Sequence, residues 1–201
     1  AAAEKGLGFV VLDRPDPING ILTEGPVLEE ELSSFVGSVG APIRYGLTPG
    51  EMARLIDGEE GYGVDVDVVE MRGWERRMWF EETGLNWVPP SPNMPTPETA
   101  LLYVGMCLFE GTNLSEGRGT GAPFHYVGAP WIEEVRLARE LNQLGLPGVK
   151  FTPARFRPTA SKYAGEVCGG VYVNVVERGA FRPFEAASHM LAKVIADCEG
   201  F

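Results

Sequence analysis

Cysteine, histidine and basic side chains are all scarce in this sequence, and each scarcity removes a class of function. The three cysteines, Cys107, Cys168 and Cys198, form no Cys-x-x-Cys and stand far apart. Free, buried thiols are therefore expected, not a zinc site or a disulfide framework. The two histidines, His125 and His189, give no His-Glu-x-x-His and no close His/Cys pair, so no dedicated metal site is expected. Gly-x-Ser-x-Gly is absent, and with it the nucleophile elbow of an α/β-hydrolase. No Gly-Lys-Ser/Thr follows the glycine-rich loop, which excludes a phosphate-binding loop. Lys and Arg number 17 against 28 Asp and Glu, for a net charge of −11. That balance repels phosphate backbones and anionic lipid headgroups, so nucleic acid is not an expected partner. The longest nearly apolar run, Ala100 to Phe109, is far shorter than the ~20 residues that cross a bilayer, and no membrane span is expected.

What remains is a globular chain. Its 201 residues, 44% apolar and 22% charged, suit one large domain or two small ones that bury about 70% of the unfolded surface. Gly8 to Leu12 reads as a strand buried on both faces, ending in Asp13-Arg14-Pro15. The carboxyl end of a parallel strand is where α/β sheets place ligands. Thr48-Pro49-Gly50-Glu51 is a capping box that opens a helix. Val64, Val66, Val68 and Val69 give a second strand, and strand, helix, strand implies an α/β layer. Trp87 to Pro95 carries four prolines and cannot be regular structure, which makes it a candidate hinge. Thr96 then caps a buried apolar helix that runs to about Phe109. An amphipathic helix is predicted from Pro130 to Leu144, strands from Val149 to Arg157 and Val171 to Val176, and a closing helix from Phe184 to Cys198.

The densest polar segment without helical or strand periodicity is Phe109 to Gly121, where four glycines alternate with Glu110, Asn113, Ser115, Arg118 and Thr120. Such a loop can bring backbone and polar side chains close to a ligand, although ordinary glycine-rich turns share the composition. Glu24 and Glu110 stand in Gly-flanked, weakly charged loops where a carboxyl can be desolvated enough to act as an acid. Most loop glutamates are instead solvated. Arg14, Arg44 and Arg118 can clamp a carboxylate or form structural ion pairs, and the four tryptophans can stack on a sugar ring or simply bury area. His189 reads as a core or surface residue, whereas His125 follows the glycine loop and is harder to dismiss.

Several collinear strings narrow this choice. Val11-Leu12-Asp13-Arg14-Pro15-Asp16-Pro17-Ile18-Asn19-Gly20, Glu24-Gly25-Pro26, Ser34-Phe35-Val36-Gly37, Pro90-Ser91-Pro92-Asn93-Met94-Pro95, Glu110-Gly111-Thr112-Asn113-Leu114-Ser115-Glu116-Gly117-Arg118-Gly119-Thr120 and Gly128-Ala129-Pro130-Trp131 occur in order. They resemble the bacterial family once catalogued as domain of unknown function 1343, whose characterised members are exo-β-N-acetylmuramidases of the NamZ type. The resemblance runs from residue 8 to about residue 178. It implies a Rossmann-like domain followed by a smaller α/β (α+β) domain, with the site in the cleft between them. It also implies hydrolysis that releases N-acetylmuramic acid from the non-reducing end of peptidoglycan fragments, with no cofactor. Secreted or periplasmic localisation is favoured by the resemblance, although no signal segment is visible.

The chain departs from that pattern in three ways. Family members begin further upstream, with a Phe-x-Pro-Glu-His-Gly segment that supplies a candidate catalytic acid and has no match here. Tyr45 stands where His is common, and Asp16 where Asn is usual. The chain is therefore expected to be a fragment of a full enzyme that pairs with an upstream domain half, because Gly8 to Leu12 would be a central strand whose neighbours precede it. Residues 1–95 are assigned to the Rossmann-like part and residues 96–201 to the smaller domain. Glu24 and Glu110 are the candidate catalytic carboxyls. Asp13, Arg14, Asn19, Arg44, Asn93, Asn113, Ser115, Arg118 and Thr120 are the candidate sugar-binding residues, with Arg118 suited to the lactyl carboxylate of muramic acid. A non-catalytic muropeptide-binding module, lacking the upstream glutamate, is the alternative.

Overall fold

A valine-rich run between a glycine and an aspartate makes the first strand, β1 (Phe9–Leu12). It is followed by β2 (Glu24–Val27), β3 (Pro42–Arg44), helix α1 (Pro49–Glu60) and β4 (Val66–Val69). The computed structural model describes residues 2–35 and 37–201; Ala1, and Val36 within the Ser34 to Gly37 motif, lie outside the described residues. The chain forms two compact units, dividing between Trp87 and Val88 at the start of the proline-rich stretch. The sequence alone places that division later, at residue 95.

In the first unit β1 and β4 pair in parallel, Phe9 opposite Val66 and Leu12 opposite Val69, while β2 and β3 form an antiparallel pair. Helix α1 opens as its sequence requires. The Thr48 hydroxyl accepts from the Glu51 amide, the Glu51 carboxylate accepts from the Thr48 amide, and Pro49 fills the first turn. The expectation that β1 is buried on both faces is corrected, since Phe9, Val10 and Leu12 are 48%, 61% and 69% exposed. Among the described residues β4 is the one strand beside it. Near α1 lies an apolar cavity of about 560 Å³, lined by Phe9, Val11, Met52, Ile56 and Val66 among others.

In the second unit helix α2 (Pro97–Met106) runs into a 3-10 turn at Cys107–Gly111, then come β5 (Tyr126–Ala129), α3 (Glu134–Gln143), β6 (Val149–Phe156), β7 (Cys168–Val175) and α4 (Pro183–Asp197). The strands form one antiparallel sheet in the order β5-β7-β6. Pro153 is tolerated in β6 because that strand is an edge. Helix α3 begins later than the periodicity predicts, because Ala129 to Ile132 makes a turn first. Glu133 then caps the helix by accepting from the Val135 and Arg136 amides. Val127, Val171, Val173, Val149 and Phe151 are buried, as are Leu137, Ala138 and Leu141 of α3. Where α2 meets α4, any side chain at Gly105 would run into the Pro183 carbonyl, so only glycine permits the crossing.

Candidate functional site

The glycine-rich loop joins the 3-10 turn to β5, and its backbone is tied down at several points. Ser115 and Gly128 exchange amide-to-carbonyl bonds of 2.8 and 3.0 Å, which extends the edge of β5. At Gly119 the backbone is left-handed (φ +79°), and a Cβ would overlap the backbone of Ala160. Thr159 donates both its amide and its hydroxyl to the Gly119 carbonyl. The loop ends at Phe124, fully buried yet held at φ +64°. Conformations of that kind persist only where their surroundings over-determine them, and they cluster at functional sites.

Four charges meet there. The Arg118 guanidinium lies 4.8 Å over the Phe124 ring, with Nη2 2.8 Å from Glu110 Oε1 and Nη1 3.0 Å from Glu116 Oε1. Burial works against the charge on Arg118, but the hydrogen bonds it donates to Glu116 and Glu110 more than offset this and hold its pKa above the ordinary guanidinium value. Glu116 is almost completely enclosed at 2% exposure, and Lys162 Nζ donates to its second oxygen at 3.2 Å. The same ammonium donates to the carbonyls of Phe109, Glu110 and Leu114. One lysine thus ties both ends of the loop segment to the buried carboxylate. Glu110 differs in being 38% exposed. Burial and the nearby Glu110 charge push the Cys107 thiol up, so this cysteine is not an activated nucleophile.

Beside this cluster His125 is 92% buried, its ring stacked on Tyr172 at a centroid distance of 5.1 Å. Its Nδ1 has no hydrogen-bond partner and lies 3.8 Å from Glu98 Oε1, too far for a direct bond. Burial lowers the His125 pKa, against the opposing pull of Glu98. Tyr126, Tyr172 and Phe156 form an aromatic group on the sheet face away from α3, with centroid spacings of 5.0 Å.

The remaining sequence-predicted residues fall into distinct roles. Asn113 donates to the Gly200 carbonyl, the Thr120 hydroxyl to the Gly117 carbonyl, and buried Ser115 accepts from the Gly117 amide. Asn93, half-buried, donates its backbone amide to the Ser91 hydroxyl. In the first unit Asp13 is committed to the start of α1, accepting from the Thr48 hydroxyl and the Gly50 amide at 2.9 and 2.8 Å. Arg14 is exposed and borders a depression of about 260 Å³ with Met71, Trp74 and Glu82. Asn19 caps its own turn by accepting from the Ile21 and Leu22 amides. Glu24 faces Arg44 across the β2–β3 pair. Arg44, 1% exposed, donates to the Ile18 carbonyl and lies 5.8 Å from the Trp79 ring centroid.

Thus Glu110, Ser115, Arg118 and Thr120 share one loop with Asn113, while Glu24, Asn19 and Arg44 share a polar region of the first unit. Sequence reasoning passed over Glu116, Lys162, Glu98 and Asp16. Glu116 stood in the quoted loop motif, two residues from Arg118. Lys162 is remote in sequence, and its one local signal is the flanking pair of left-handed residues, Ser161 and Tyr163, visible only in the fold. Asp16, 5% exposed, is pushed up to about 6 by burial, with the Ile18 amide, Arg44 and Arg76 pulling the other way. Among the described residues no group of three His, Cys, Asp or Glu side chains is placed to hold a metal, and no helix is long and apolar enough to cross a membrane.

Comparison with known proteins places this arrangement. A solved DUF1343 family protein from Bacteroides fragilis superposes with a TM-score of 0.92 at 38% identity, covering 97% of this chain and 52% of that one. A second from the same organism gives 0.71 at 26% identity over 96% of this chain and 59% of its own. The peptidoglycan β-N-acetylmuramidase NamZ of Bacillus subtilis is 49% identical over 181 residues, which are 90% of this chain and 44% of that protein. The chain therefore spans less than half the length of that curated relative. The family description of the N-terminal part of the exo-β-N-acetylmuramidase NamZ matches residues 1–98, and that of the C-terminal part matches residues 101–199. With both halves of the description matched in order, the mixed α/β chain belongs to the NamZ exo-β-N-acetylmuramidase family.

Proposed function

We propose that this chain is part of a glycoside hydrolase that releases N-acetylmuramic acid from the non-reducing end of peptidoglycan fragments. The observation that carries the reading is the 49% identity over 90% of the chain to a protein named as a peptidoglycan β-N-acetylmuramidase. The second unit supports it chemically. N-acetylmuramic acid differs from N-acetylglucosamine by a lactyl ether that carries a carboxylate, and Arg118 presents a planar guanidinium of the type that holds carboxylates through paired hydrogen bonds. Tyr126 and Tyr172 are half-buried aromatic side chains of a type that packs on sugars.

Glycosidases commonly use two carboxyl groups, one protonating the leaving oxygen and one attacking carbon or activating water. Glu110 and Glu24 are our candidates for these roles, with Asn113, Ser115 and Thr120, and Asp13, Arg14, Asn19, Arg44 and Asn93, as candidate sugar-binding residues. Hydrolysis of a chromogenic β-N-acetylmuramide by the full-length protein tests the reading. Turnover that falls by about 10²-fold or more in Glu110→Gln is expected of a proton-transferring residue. Absence of turnover in the parent protein contradicts hydrolysis, and sugar binding without turnover selects the non-catalytic module instead.

A further inference from the structure

The two carboxylates on Arg118 are not equivalent. Glu116 is 2% exposed and shared with Lys162, whose ammonium makes three further bonds to loop carbonyls. Moving Glu116 would strip a buried carboxylate of two cations at once, a change that proteins resist strongly. Glu110 is 38% exposed and sits at the end of a short 3-10 turn. A pair of that exposure is cheap to open. Arg118 is itself 27% exposed and lies over the Phe124 ring, which leaves its guanidinium little freedom to follow a departing partner.

From this asymmetry we propose that Glu110 is an internal stand-in for a ligand carboxylate. It occupies Arg118 in the free protein and is exchanged for the carboxylate of an incoming acidic sugar, while the Glu116–Lys162 pair holds the guanidinium in place. The proposal rests on the muramic acid reading for the identity of that sugar and adds what selects it. A neutral sugar offers nothing to replace the Glu110 contact, whereas a lactyl carboxylate restores it and frees Glu110 from Arg118. Glu116 and Lys162 are positioning residues in this scheme, because they act through Arg118 and the loop.

The exchange has a signature that a merely structural ion pair lacks, because removing Glu110's charge removes a competitor. The Arg118 Nε–H signal is followed in nitrogen-resolved proton spectra of the full-length protein while D-lactate, N-acetylmuramic acid and N-acetylglucosamine are added separately. The expected result is a response to the first two and none to the third. Glu110→Gln should tighten binding of both acids by about two- to fivefold. Lys162→Met should weaken it by about 10- to 100-fold, and Lys162→Arg should restore most of the loss. A response to lactate but not to N-acetylmuramic acid supports the exchange and removes the muramic acid reading. No response to either acid, weaker binding in Glu110→Gln, or unchanged affinity in Lys162→Met overturns the proposal.

Discussion

In the first unit the side chains withdrawn from water are chiefly polar, Asp16, Asn19, Arg44 and Thr48, with Ile18 among them. In the second unit they are chiefly apolar, including Leu102, Phe109, Leu141, Val171, Phe181 and Met190. The two units accordingly carry their buried charges differently. Glu116 of the second unit meets two cations within 3.2 Å inside an apolar frame. The Asp16 carboxylate accepts from the Ile18 amide at 3.0 Å, which does not offset the effect of burial on its pKa. A unit with an apolar core can accommodate a buried carboxylate by surrounding it with donors. A unit whose interior is polar, and whose β1 exposes Phe9, Val10 and Leu12, depends on each polar contact and on pH.

The contrast can be broken at its strongest point first. Lys162→Met leaves Glu116 buried with one cation fewer and should cost about 3–5 kcal/mol in chemical denaturation. Adding Glu116→Gln to the same chain should recover much of that, and failure to recover would show that Lys162 stabilises through the loop carbonyls alone. Leu102→Ala should cost about 2–5 kcal/mol, because that side chain is fully buried. Leu12→Ala, at a position 69% exposed, should stay within about 0.5 kcal/mol. A large loss at Leu12 would mean that β1 is covered in solution.

Asp16 sharpens the comparison through its titration. Its folded pKa of about 6 lies above the unfolded value of 3.8, so the native state retains a proton that the unfolded chain releases. Stability from this group is complete below about pH 4 and is lost as pH rises through about 6. Asp16→Asn removes that dependence and should stabilise the first unit by about 3 kcal/mol at neutral pH, with no gain below about pH 4. Thermal denaturation across that range measures it. A smaller effect is expected at Thr48, whose hydroxyl caps α1 and donates to Asp13. Thr48→Ala should cost about 1 kcal/mol.

Much of this architecture was legible because its signals are local. The capping box at Thr48 and the valine alternation of β4 and β7 each depend on residues a few positions apart. The antiparallel β2–β3 pair was not legible, since Glu24-Gly25-Pro26-Val27 has the composition of a turn and becomes a strand only when β3 pairs with it. β5 is likewise short and glycine-bearing, and it gains its place from bonds to both Ser115 and β7. For the candidate site, the loop that carries Glu110 and Arg118 stood out by composition. Burial of Glu116 and its capture by Lys162, 46 residues away, required the fold. The sequence singles out Glu110 and not Glu116, and only burial separates the one that anchors Arg118 from the one that can leave it.

The most direct test of the account compares two sugars on one protein. Calorimetric titration of the full-length protein with N-acetylmuramic acid and with N-acetylglucosamine isolates the lactyl carboxylate. The account predicts that the acid binds at least about tenfold more tightly, as one charge-assisted contact to a positioned guanidinium implies, and that Arg118→Ala abolishes the difference. Equal affinities for the two sugars in the parent protein would contradict it.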